Sequence, residues 1–393
     1  HLFVYAGFVA SRGHHSDVGG LSPGSMPAES KTIEEEGIRI TALPILVDGA
    51  LETDLIARTF ASARSPQVNQ ADLKAQLAAC QTGAEALQTL MRQNGPQTVQ
   101  TYMRRIQTNA SQAVERLLST LKGGTHQHEI SGVGRICVSV EVDQAEQRAT
   151  IDFAGTSAQG PHNFNAPLSI TKAAVLYVLR CLISEAIPLN AGCLLPIDLT
   201  VPEGCLLNPL PPAAVVAGNV ETSQAVVNAL FLALGARAAS QGTMNNVILG
   251  DADHQYYETL GGGCGAGPEF SGESAIHSDM TNSRLTDPEV VEARLPLRIE
   301  QMEIRRGSGG KGKHPGGDGL IRSYRALKDL EVSLLTSHRN SGPSGLNGGG
   351  DGKPGANLVV VDGVEKPVSA RAGTHLPGNA ILIIKTPGGG GSS

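Results

Sequence analysis

Three side chains that can bind a metal ion or carry a proton lie within four residues near the start of the chain. His14, His15 and Asp17 stand in the segment R-G-H-H-S-D-V-G-G at residues 12–20. The apolar residues 8–11 before it predict the end of a buried strand, and a Gly/Ser/Pro-rich loop follows. A strand end that opens into such a loop can hold polar side chains still around a small ligand. A histidine-rich surface turn is the alternative interpretation.

A second set of polar side chains lies beside glycines or at the ends of predicted elements. Side chains at such positions bind small polar substrates or hydrogen-bond the loop backbone, and taken one at a time they favour the structural interpretation. His277 and Asp279, in I-H-S-D-M-T-N, are likewise either ligands or turn caps. The set comprises Asn163, Asn165, Asn219, Glu221, Asn245 and Asn246.

The segment G-S-G-G-K-G at residues 307–312 has the glycine spacing of a nucleotide-binding loop, but its context argues against that function. Phosphate-binding loops lead into a helix whose first N–H groups point at the phosphate. Here H-P-G-G follows at residues 314–317, where no helix can begin. We therefore predict a cluster of tight β-turns and no ATP site. The chain also lacks G-x-S-x-G, so a serine hydrolase has little support.

The composition excludes several classes of protein. The 393 residues are enough for two or three domains or for one large intertwined unit. The net charge of -6 includes no long run of either sign, which argues against a nucleic-acid surface. No apolar run approaches the roughly 18 residues that span a membrane. Six scattered cysteines without a C-x-x-C pair predict buried, reduced thiols and a cytoplasmic protein.

The hydrophobic pattern predicts an α+β fold with several mixed or antiparallel sheets, a helical hairpin and buried central helices. Apolar residues recur every three or four positions from residue 71 to 94 and from about 98 to 121, and N-G-P separates the two helices. Alternating residues at 134–142 and 147–153 predict a β-hairpin. Further predicted strands lie at residues 38–40, 43–47, 195–201 and 380–385.

Two apolar helices are expected in the middle of the chain. Residues 171–183 are hydrophobic nearly all round, and residues 219–239 predict a second helix with Thr222 or Ser223 as its N-cap. The predicted regions are an N-terminal β and loop region (1–68), the helical hairpin (69–123), a central α+β region (124–260) and a glycine-rich, mainly β C-terminal region (261–393).

Several motifs, taken together and in order, resemble one family. The chain is similar throughout to hydantoinase B, which is also the C-terminal half of ATP-dependent 5-oxoprolinase. The motifs that carry the resemblance are R-G-H-H-S-D-V-G-G, N-F-N-A-P, A-G-N-V-E-T-S-Q, T-M-N-N, Y-Y-E-T, H-S-D-M-T-N-S-R-L-T-D-P-E, S-G-G-K-G-K-H-P-G-G-D-G-L-I-R and T-P-G-G-G-G.

The resemblance implies a division of labour between two subunits or domains. A hydantoinase A-type partner would bind ATP and Mg²⁺ and phosphorylate the substrate oxygen, and the B-type part would hydrolyse or carboxylate the activated species. The resemblance also implies a divalent metal (Zn, Mn or Fe), with His14 as a ligand. The proximity of Asp17 suggests a carboxylate that supports this histidine. His15, Asn163, Asn165, Asn219, Glu221 and His277 are the residues expected to line the site.

The family implies a cytoplasmic, oligomeric ATP-dependent hydrolase of cyclic amides, most like 5-oxoprolinase. The alternatives are an N-methylhydantoinase or an acetone or acetophenone carboxylase subunit, and a non-catalytic assembly subunit. One departure from the family pattern motivates the last alternative. The family's H-x-x-D ligands precede R-G-H by roughly two dozen residues, whereas this chain has thirteen residues before His14 and no initiator Met. We therefore expect a fragment of a longer protein. Asp279 also stands where many relatives carry His.

Overall fold

Seven α-helices and fifteen strands lie within residues 7–251 and 254–393, which the computed structural model describes. The predicted α+β fold is confirmed. Residues 1–6, at the apolar start of the chain, lie outside the described residues. The helices are α1 (Ile33–Glu36), α2 (Thr53–Thr59), α3 (Pro66–Asn94), α4 (Pro96–Leu118), α5 (Leu168–Leu182), α6 (Ser223–Ala233) and α7 (Pro288–Arg294).

The strands form four sheets in the described part of the chain, with the orders β1-β2, β3-β4-β5-β6, β14-β11-β7-β8 and β13-β12-β15-β10-β9. All neighbours are antiparallel except β5 and β6. The strands are β1 (Leu46–Val47), β2 (Ala50–Leu51), β3 (Gly124–Ile130), β4 (Gly134–Asp143), β5 (Arg148–Asp152), β6 (Ile197–Thr200), β7 (Asn246–Gly250), β8 (Gln255–Glu258), β9 (Leu297–Arg305), β10 (Gly319–Ala326), β11 (Leu330–Leu335), β12 (Ala356–Val361), β13 (Val364–Val368), β14 (Arg371–Leu376) and β15 (Ile381–Lys385).

The predicted helical hairpin is confirmed, with its turn at the expected place. Gly95 has a φ of +80° and its N–H donates to Met91 O at 2.9 Å, so the backbone reverses between α3 and α4. Helix α3 begins at residue 66 rather than 71 because Pro66 fits the first turn of a helix. Helix α4 buries one end of its apolar face, including Ala110 and Val114, against the central core.

The buried central helices are confirmed, but the predicted N-cap is wrong. Helices α5 and α6 pack against each other, and α6 also packs on β3 and β4. A π-helical turn, Gly218–Thr222, leads directly into α6, so Thr222 and Ser223 already have helical backbone. Their hydroxyls donate to Phe164 O and Asn219 O instead of capping free N–H groups. The helix also ends at Ala233, six residues earlier than predicted.

The C-terminal glycines form a backbone-to-backbone bundle. Gly389 donates to Gly317 O at 2.9 Å and accepts from Gly310 N at 2.8 Å, and Gly390 donates to Ala239 O at 2.8 Å. A Cβ atom on Gly390 would lie 2.1 Å from Ser344 O, so no larger residue fits. The G-S-G-G-K-G segment belongs to this bundle. As predicted, no helix follows this segment. The predicted cluster of β-turns is reduced to a turn at residues 306–307, because the rest of the segment packs against the C-terminal tail.

Three predictions for smaller features are wrong. Residues 8–11 form no strand, and Phe8 is 92% exposed, because the segment lies along α3, where a Cβ atom on Gly83 would lie 2.7 Å from Val9. A helix offers no edge for strand pairing. Residues 38–40 also form no strand, and the predicted strand at 43–47 is reduced to β1. The six cysteines are free thiols, but only Cys193 and Cys205 are buried, and Cys181 is exposed.

None of the described helices combines the length and apolar character needed to cross a membrane. The buried apolar residues form two clusters. One lies between helices α4–α6 and the β3–β6 sheet, and the other lies between the two C-terminal sheets. The polar residues considered next line a cavity where loops from both halves of the molecule meet.

Candidate functional site

An open cavity of about 770 Å³ is enclosed by loops that lie far apart in the sequence. Glu221 lines it from the π-helical turn before α6, and the loop after β11 lines it from the C-terminal half. We call it the Glu221 cavity. Its wall includes residues 28, 29, 31, 128–132, 161–164, 221, 225, 242, 336–341, 355–358 and 367–371.

Glu221 is 1% exposed, and its two carboxyl oxygens have different surroundings. Oε1 accepts hydrogen bonds from Thr243 Oγ1 at 2.9 Å, Met244 N at 3.1 Å and Asn246 Nδ2 at 2.9 Å. Oε2 has no hydrogen-bond partner of acceptable geometry among the described residues. The T-M-N-N motif therefore fixes the carboxyl group by one oxygen and leaves the other able to bind a ligand or a proton.

The environment of Glu221 raises its pKa to about 7. Burial is the main cause, because it disfavours the charged carboxylate. The nearby Ser337 hydroxyl, the hydrogen bonds from Thr243 and Met244 and the positive charge of Arg339 oppose the shift without cancelling it. A carboxyl group with a pKa near 7 can both accept and donate a proton at neutral pH, which suits general acid–base catalysis.

Arg339 lies in the same wall and hydrogen-bonds neutral oxygens only. Its Nε donates to Asn357 Oδ1 at 2.9 Å, its Nη1 to Ser337 O at 2.7 Å and its Nη2 to Asn245 Oδ1 at 2.8 Å. Burial lowers the pKa of Arg339 to about 9, so the guanidinium remains charged at neutral pH. In the T-M-N-N motif, Asn246 therefore hydrogen-bonds Glu221, and Asn245 hydrogen-bonds Arg339.

Histidines form another part of the wall. The rings of His128 and His338 have centroids 5.9 Å apart in an edge-on arrangement. Burial lowers the pKa of His128 to about 3 and that of His338 to about 4. Burial also lowers the pKa of His162, which lines the cavity near Arg371. At neutral pH these imidazoles are uncharged and add hydrogen-bonding capacity without positive charge.

The R-G-H segment, which we call the R-G-H loop (residues 12–20), lies against helix α3 rather than on the wall of the Glu221 cavity. His14 is exposed. His15 Nδ1 lies 3.6 Å from Asp72 Oδ2, and its ring packs against Phe60 with centroids 5.4 Å apart. These contacts hold His15 in place on the surface of α3.

Asp17 is 1% exposed and its carboxylate is fully engaged within the loop. It accepts hydrogen bonds from Arg64 Nη1 at 2.7 Å, Arg64 N at 3.1 Å and Gly19 N at 2.9 Å. Burial raises the pKa of Asp17, but these bonds and the charge of Arg64 outweigh it and lower the pKa below its ordinary value. The partner of the Asp17 carboxylate is therefore Arg64.

The residues around His14 do not supply a metal-binding set. Within residues 7–251 and 254–393, no three His, Cys, Asp or Glu side chains are placed to hold a metal ion together. One exposed imidazole is a weak site for a divalent ion, since protein sites use three or four ligands. The metal at His14 stays a prediction, and no chemical step is derived from it below.

Of the predicted site residues, all of which lie in the described part of the chain, Asn163 and Glu221 line the cavity. The Asn163 amide also donates to Pro27 O at 2.8 Å, which ties the 161–164 loop to the N-terminal segment. Asn165 stabilises its own loop, because its amide donates to His162 O at 2.6 Å. Both amides hydrogen-bond backbone oxygens, which agrees with the structural interpretation of such side chains in the sequence analysis.

The other predicted residues lie elsewhere. Asn219 is exposed, and the backbone oxygen of that residue accepts from Ser223. His277 Nε2 lies 2.9 Å from Thr259 O. Asp279 forms a buried ion pair with Arg237 at 2.7 Å. None of these side chains lies on the cavity wall.

Sequence reasoning missed five histidine and arginine side chains of the cavity wall: His128, His162, His338, Arg339 and Arg371. The sequence contains a signal for His338 and Arg339. They belong to the polar segment S-H-R-N at residues 337–340, which follows the buried strand β11. The same pattern, a polar loop after a predicted buried strand, drew attention to the residues after 8–11. His128 alternates with Ile130 on the buried face of β3. Such a histidine is indistinguishable from a core residue without the fold.

The comparisons with known proteins agree with the fold. The chain is 42% identical to 5-oxoprolinase 1 of Arabidopsis thaliana over 98% of this chain and 33% of that protein. The chain therefore spans about a third of the length of the curated relatives it matches first.

Two solved structures share the fold. ATP-dependent caprolactamase from Pseudomonas jessenii matches with a TM-score of 0.84 and 22% identity, over 97% of this chain and 70% of that one. A nucleotide-free acetone carboxylase matches with a TM-score of 0.85 and 16% identity, over 97% and 60%. The family model for hydantoinase B/oxoprolinase matches residues 3–392. The chain belongs to the hydantoinase B/oxoprolinase family.

Proposed function

We propose that this chain is the B-type portion of an ATP-dependent cyclic-amide hydrolase, most like 5-oxoprolinase. The reaction would convert 5-oxo-L-proline, ATP and water to L-glutamate, ADP and phosphate. The observation that carries the proposal is the buried carboxyl of Glu221, which has one unpartnered oxygen and a pKa of about 7 in an open polar cavity. The similarity to 5-oxoprolinases over nearly the whole chain supports the choice of reaction.

ATP would bind to an A-type partner rather than to this chain. The glycine-rich segment at residues 307–312 leads into no helix and packs against the C-terminal tail. It therefore lacks the free N–H groups that cradle phosphate in nucleotide-binding loops. The chain's share of its relatives' length leaves room for such a partner as a fused or separate unit.

Glu221 would serve as the base and then as the acid. A lactam is a poor electrophile, and phosphorylation of its oxygen activates the ring carbon. Water adds to that carbon while Glu221 Oε2 accepts the proton, and the proton returns to the ring nitrogen as the C–N bond breaks. The three donors on Oε1 hold the carboxyl in one orientation through both steps. Ring opening leaves an acyl phosphate. A second water adds to its carbonyl carbon, the C–O bond breaks, and phosphate leaves with its P–O bond intact, which gives L-glutamate.

The test is turnover by this chain together with its A-type partner. We expect ATP-dependent release of glutamate and phosphate from 5-oxo-L-proline. ATP-dependent hydrolysis of a hydantoin instead would favour the N-methylhydantoinase alternative, and ATP-dependent fixation of bicarbonate onto acetone or acetophenone would favour a carboxylase. Failure to turn over all three substrate classes, with partner and ATP present, would contradict the proposal and favour a non-catalytic assembly role.

A further inference from the structure

Two guanidinium groups line the Glu221 cavity without a carboxylate partner. Arg339 and Arg371 take part in no ion pair among the described residues. By contrast, the buried arginines Arg237 and Arg322 each pair with a carboxylate. Arg237 pairs with Asp279 at 2.7 Å, and Arg322 pairs with Glu258 at 3.0 Å. The two cavity arginines therefore keep uncompensated positive charge where a ligand can reach it.

Arg339 also has donors to spare. A guanidinium carries five N–H groups, and this one donates three hydrogen bonds, all to neutral oxygens of Ser337, Asn245 and Asn357. One N–H on each of Nη1 and Nη2 is left over. Arginine binds carboxylate and phosphate oxygens through such N–H groups.

Arg371 is connected to Arg339 through Asn357. The Asn357 side chain accepts from Arg339 through Oδ1 and donates to Ser369 O at 3.2 Å through Nδ2, two residues before Arg371. Arg371 packs over the Phe164 ring, with its guanidinium carbon 5.2 Å from the ring centroid. Its one hydrogen bond within the described residues is a long contact of 3.4 Å to Gly132 O.

The remaining charges lie at the rim of the cavity. Glu29, Lys31 and Glu129 are exposed, so solvent screens them. Inside, Glu221 is the carboxyl group that lies on the wall, and its raised pKa leaves it largely without charge below neutral pH. The interior therefore presents two cationic side chains and a row of neutral hydrogen-bonding groups to a ligand.

We propose that Arg339 and Arg371 bind an anionic oxygen group of the substrate, next to the carboxyl group of Glu221. This inference rests on the proposed function for the identity of the ligand. The group is either the carboxylate of a lactam acid such as 5-oxo-L-proline or the phosphate of an activated intermediate. A carboxylate held here would make the arginines determinants of specificity, and a phosphate held here would orient the leaving group.

The experiment is titration calorimetry on the whole chain with three probes. These are 5-oxo-L-proline, 2-pyrrolidinone (the same ring without the carboxylate) and inorganic phosphate. Arg339→Gln and Arg371→Gln are compared with Arg148→Gln, which changes an exposed arginine on β5 that does not line the cavity. Arg339→Lys keeps the charge and serves if Arg339→Gln does not fold.

We expect at least 10-fold weaker binding of the anion in each cavity variant and less than 2-fold change in Arg148→Gln, as charge-assisted hydrogen bonds require. Tight binding of 5-oxo-L-proline but not 2-pyrrolidinone identifies the carboxylate, and binding of phosphate identifies the phosphate. The proposal is overturned if neither anion binds the wild-type chain, or if the cavity variants bind it as the wild type does.

Turnover with the A-type partner separates this inference from the proposed function. If anions bind through both arginines but no lactam is hydrolysed, the proposed function fails and the anion site stands. If 5-oxo-L-proline is hydrolysed and both cavity variants keep the wild-type kcat and KM, the anion site is wrong and the proposed function stands.

Discussion

The R-G-H loop and the Glu221 cavity both bring histidine, carboxylate and arginine side chains together, but they use them differently. In the loop, Asp17 is saturated by Arg64 and Gly19, while His14 is exposed. In the cavity, Glu221 keeps one oxygen free and Arg339 keeps unpaired N–H groups. The hydrogen bonds of Asp17 stabilise the conformation of the loop, whereas the cavity keeps polar groups that can bind a ligand.

The difference shows which feature indicates a site. Close spacing of His14, His15 and Asp17 in the sequence made the loop conspicuous, yet their polar atoms do not converge. Residues more than 100 positions apart converge in the cavity, because the fold brings α6 and the loop after β11 together. A buried polar atom without a partner is costly, so its presence in a cavity points to a function.

The largest expected effect on stability comes from Glu221→Gln. Burial raises the pKa of Glu221 from about 4.5 in the unfolded chain to about 7 in the folded chain. The carboxyl group therefore does not lower the free energy of unfolding below pH 4.5. Its cost to that free energy grows as the pH rises from 4.5 to 7. Glutamine keeps an oxygen acceptor for the three donors and removes this cost. Its gain over the wild type should rise to roughly 3 kcal/mol in the free energy of unfolding above pH 7.

Urea unfolding at pH 4.5, 6, 7 and 8 measures this gain. Glu85→Gln, an exposed carboxylate on α3, is the matched control and should show a nearly constant difference from the wild type. A Glu221→Gln difference that does not change with pH would show that the Glu221 pKa is close to its ordinary value.

Asp17→Ala should have the next largest effect, and its pH dependence should run the other way. The variant loses three hydrogen bonds to a buried carboxylate, so we expect about 2 kcal/mol of destabilisation at neutral pH. Because the pKa of Asp17 is lowered, the contribution is present above about pH 4 and is lost as the pH falls further. Denaturant unfolding at pH 7 and pH 3 checks both statements, and equal losses at the two values would contradict them.

Thr243→Val tests how the carboxyl is positioned. The substitution removes a hydroxyl donor from Glu221 Oε1 while nearly preserving shape. Since that donor favours the ionised carboxylate, its loss should raise the pKa of Glu221 and move the pH profile of turnover to higher pH. Turnover at pH 7 should fall about 10-fold, as one hydrogen bond to a charged group predicts. Thr243→Ser keeps the hydroxyl and should restore the profile; an unshifted profile in Thr243→Val would refute the role.

His14→Ala should have the smallest effect. An exposed side chain away from caps and cores contributes less than about 0.5 kcal/mol to stability. Denaturant unfolding in the presence of a chelator measures this directly. Elemental analysis of the wild type and the variant sharpens the comparison, because a stoichiometric metal lost on substitution would show that the loop is a formed site.

Much of the fold follows from local patterns in the sequence. Asn94-Gly95-Pro96 ends one helix and begins the next, and the alternation at residues 134–142 gives β4. The prediction that Thr222 or Ser223 caps α6 failed because a π-helical turn precedes them, and nothing local distinguishes it from a loop. The extended glycine bundle was also missed, because its hydrogen bonds join segments from the whole C-terminal half.

The site was predicted less well than the fold. Glu221 and Asn163 were singled out by their position beside glycines or element ends, which is a local signal, and both line the cavity. Arg339 follows β11, which pairs with β7 more than 80 residues away. The ring of His128 meets that of His338, which lies in the other half of the chain, so the convergence of these residues depends on the complete fold. Which polar atoms remain unpartnered depends on the finished packing and cannot be read from spacing.

The central claim is that the reaction takes place at Glu221, and turnover of the complete enzyme measures it most directly. Glu221→Gln and Glu85→Gln are compared with the wild type for ATP-dependent release of glutamate from 5-oxo-L-proline at pH 7. We predict a 10²- to 10⁴-fold loss for Glu221→Gln, the usual contribution of a general acid–base group, and less than a 2-fold change for Glu85→Gln. Turnover by Glu221→Gln within a few-fold of the wild type would contradict the account.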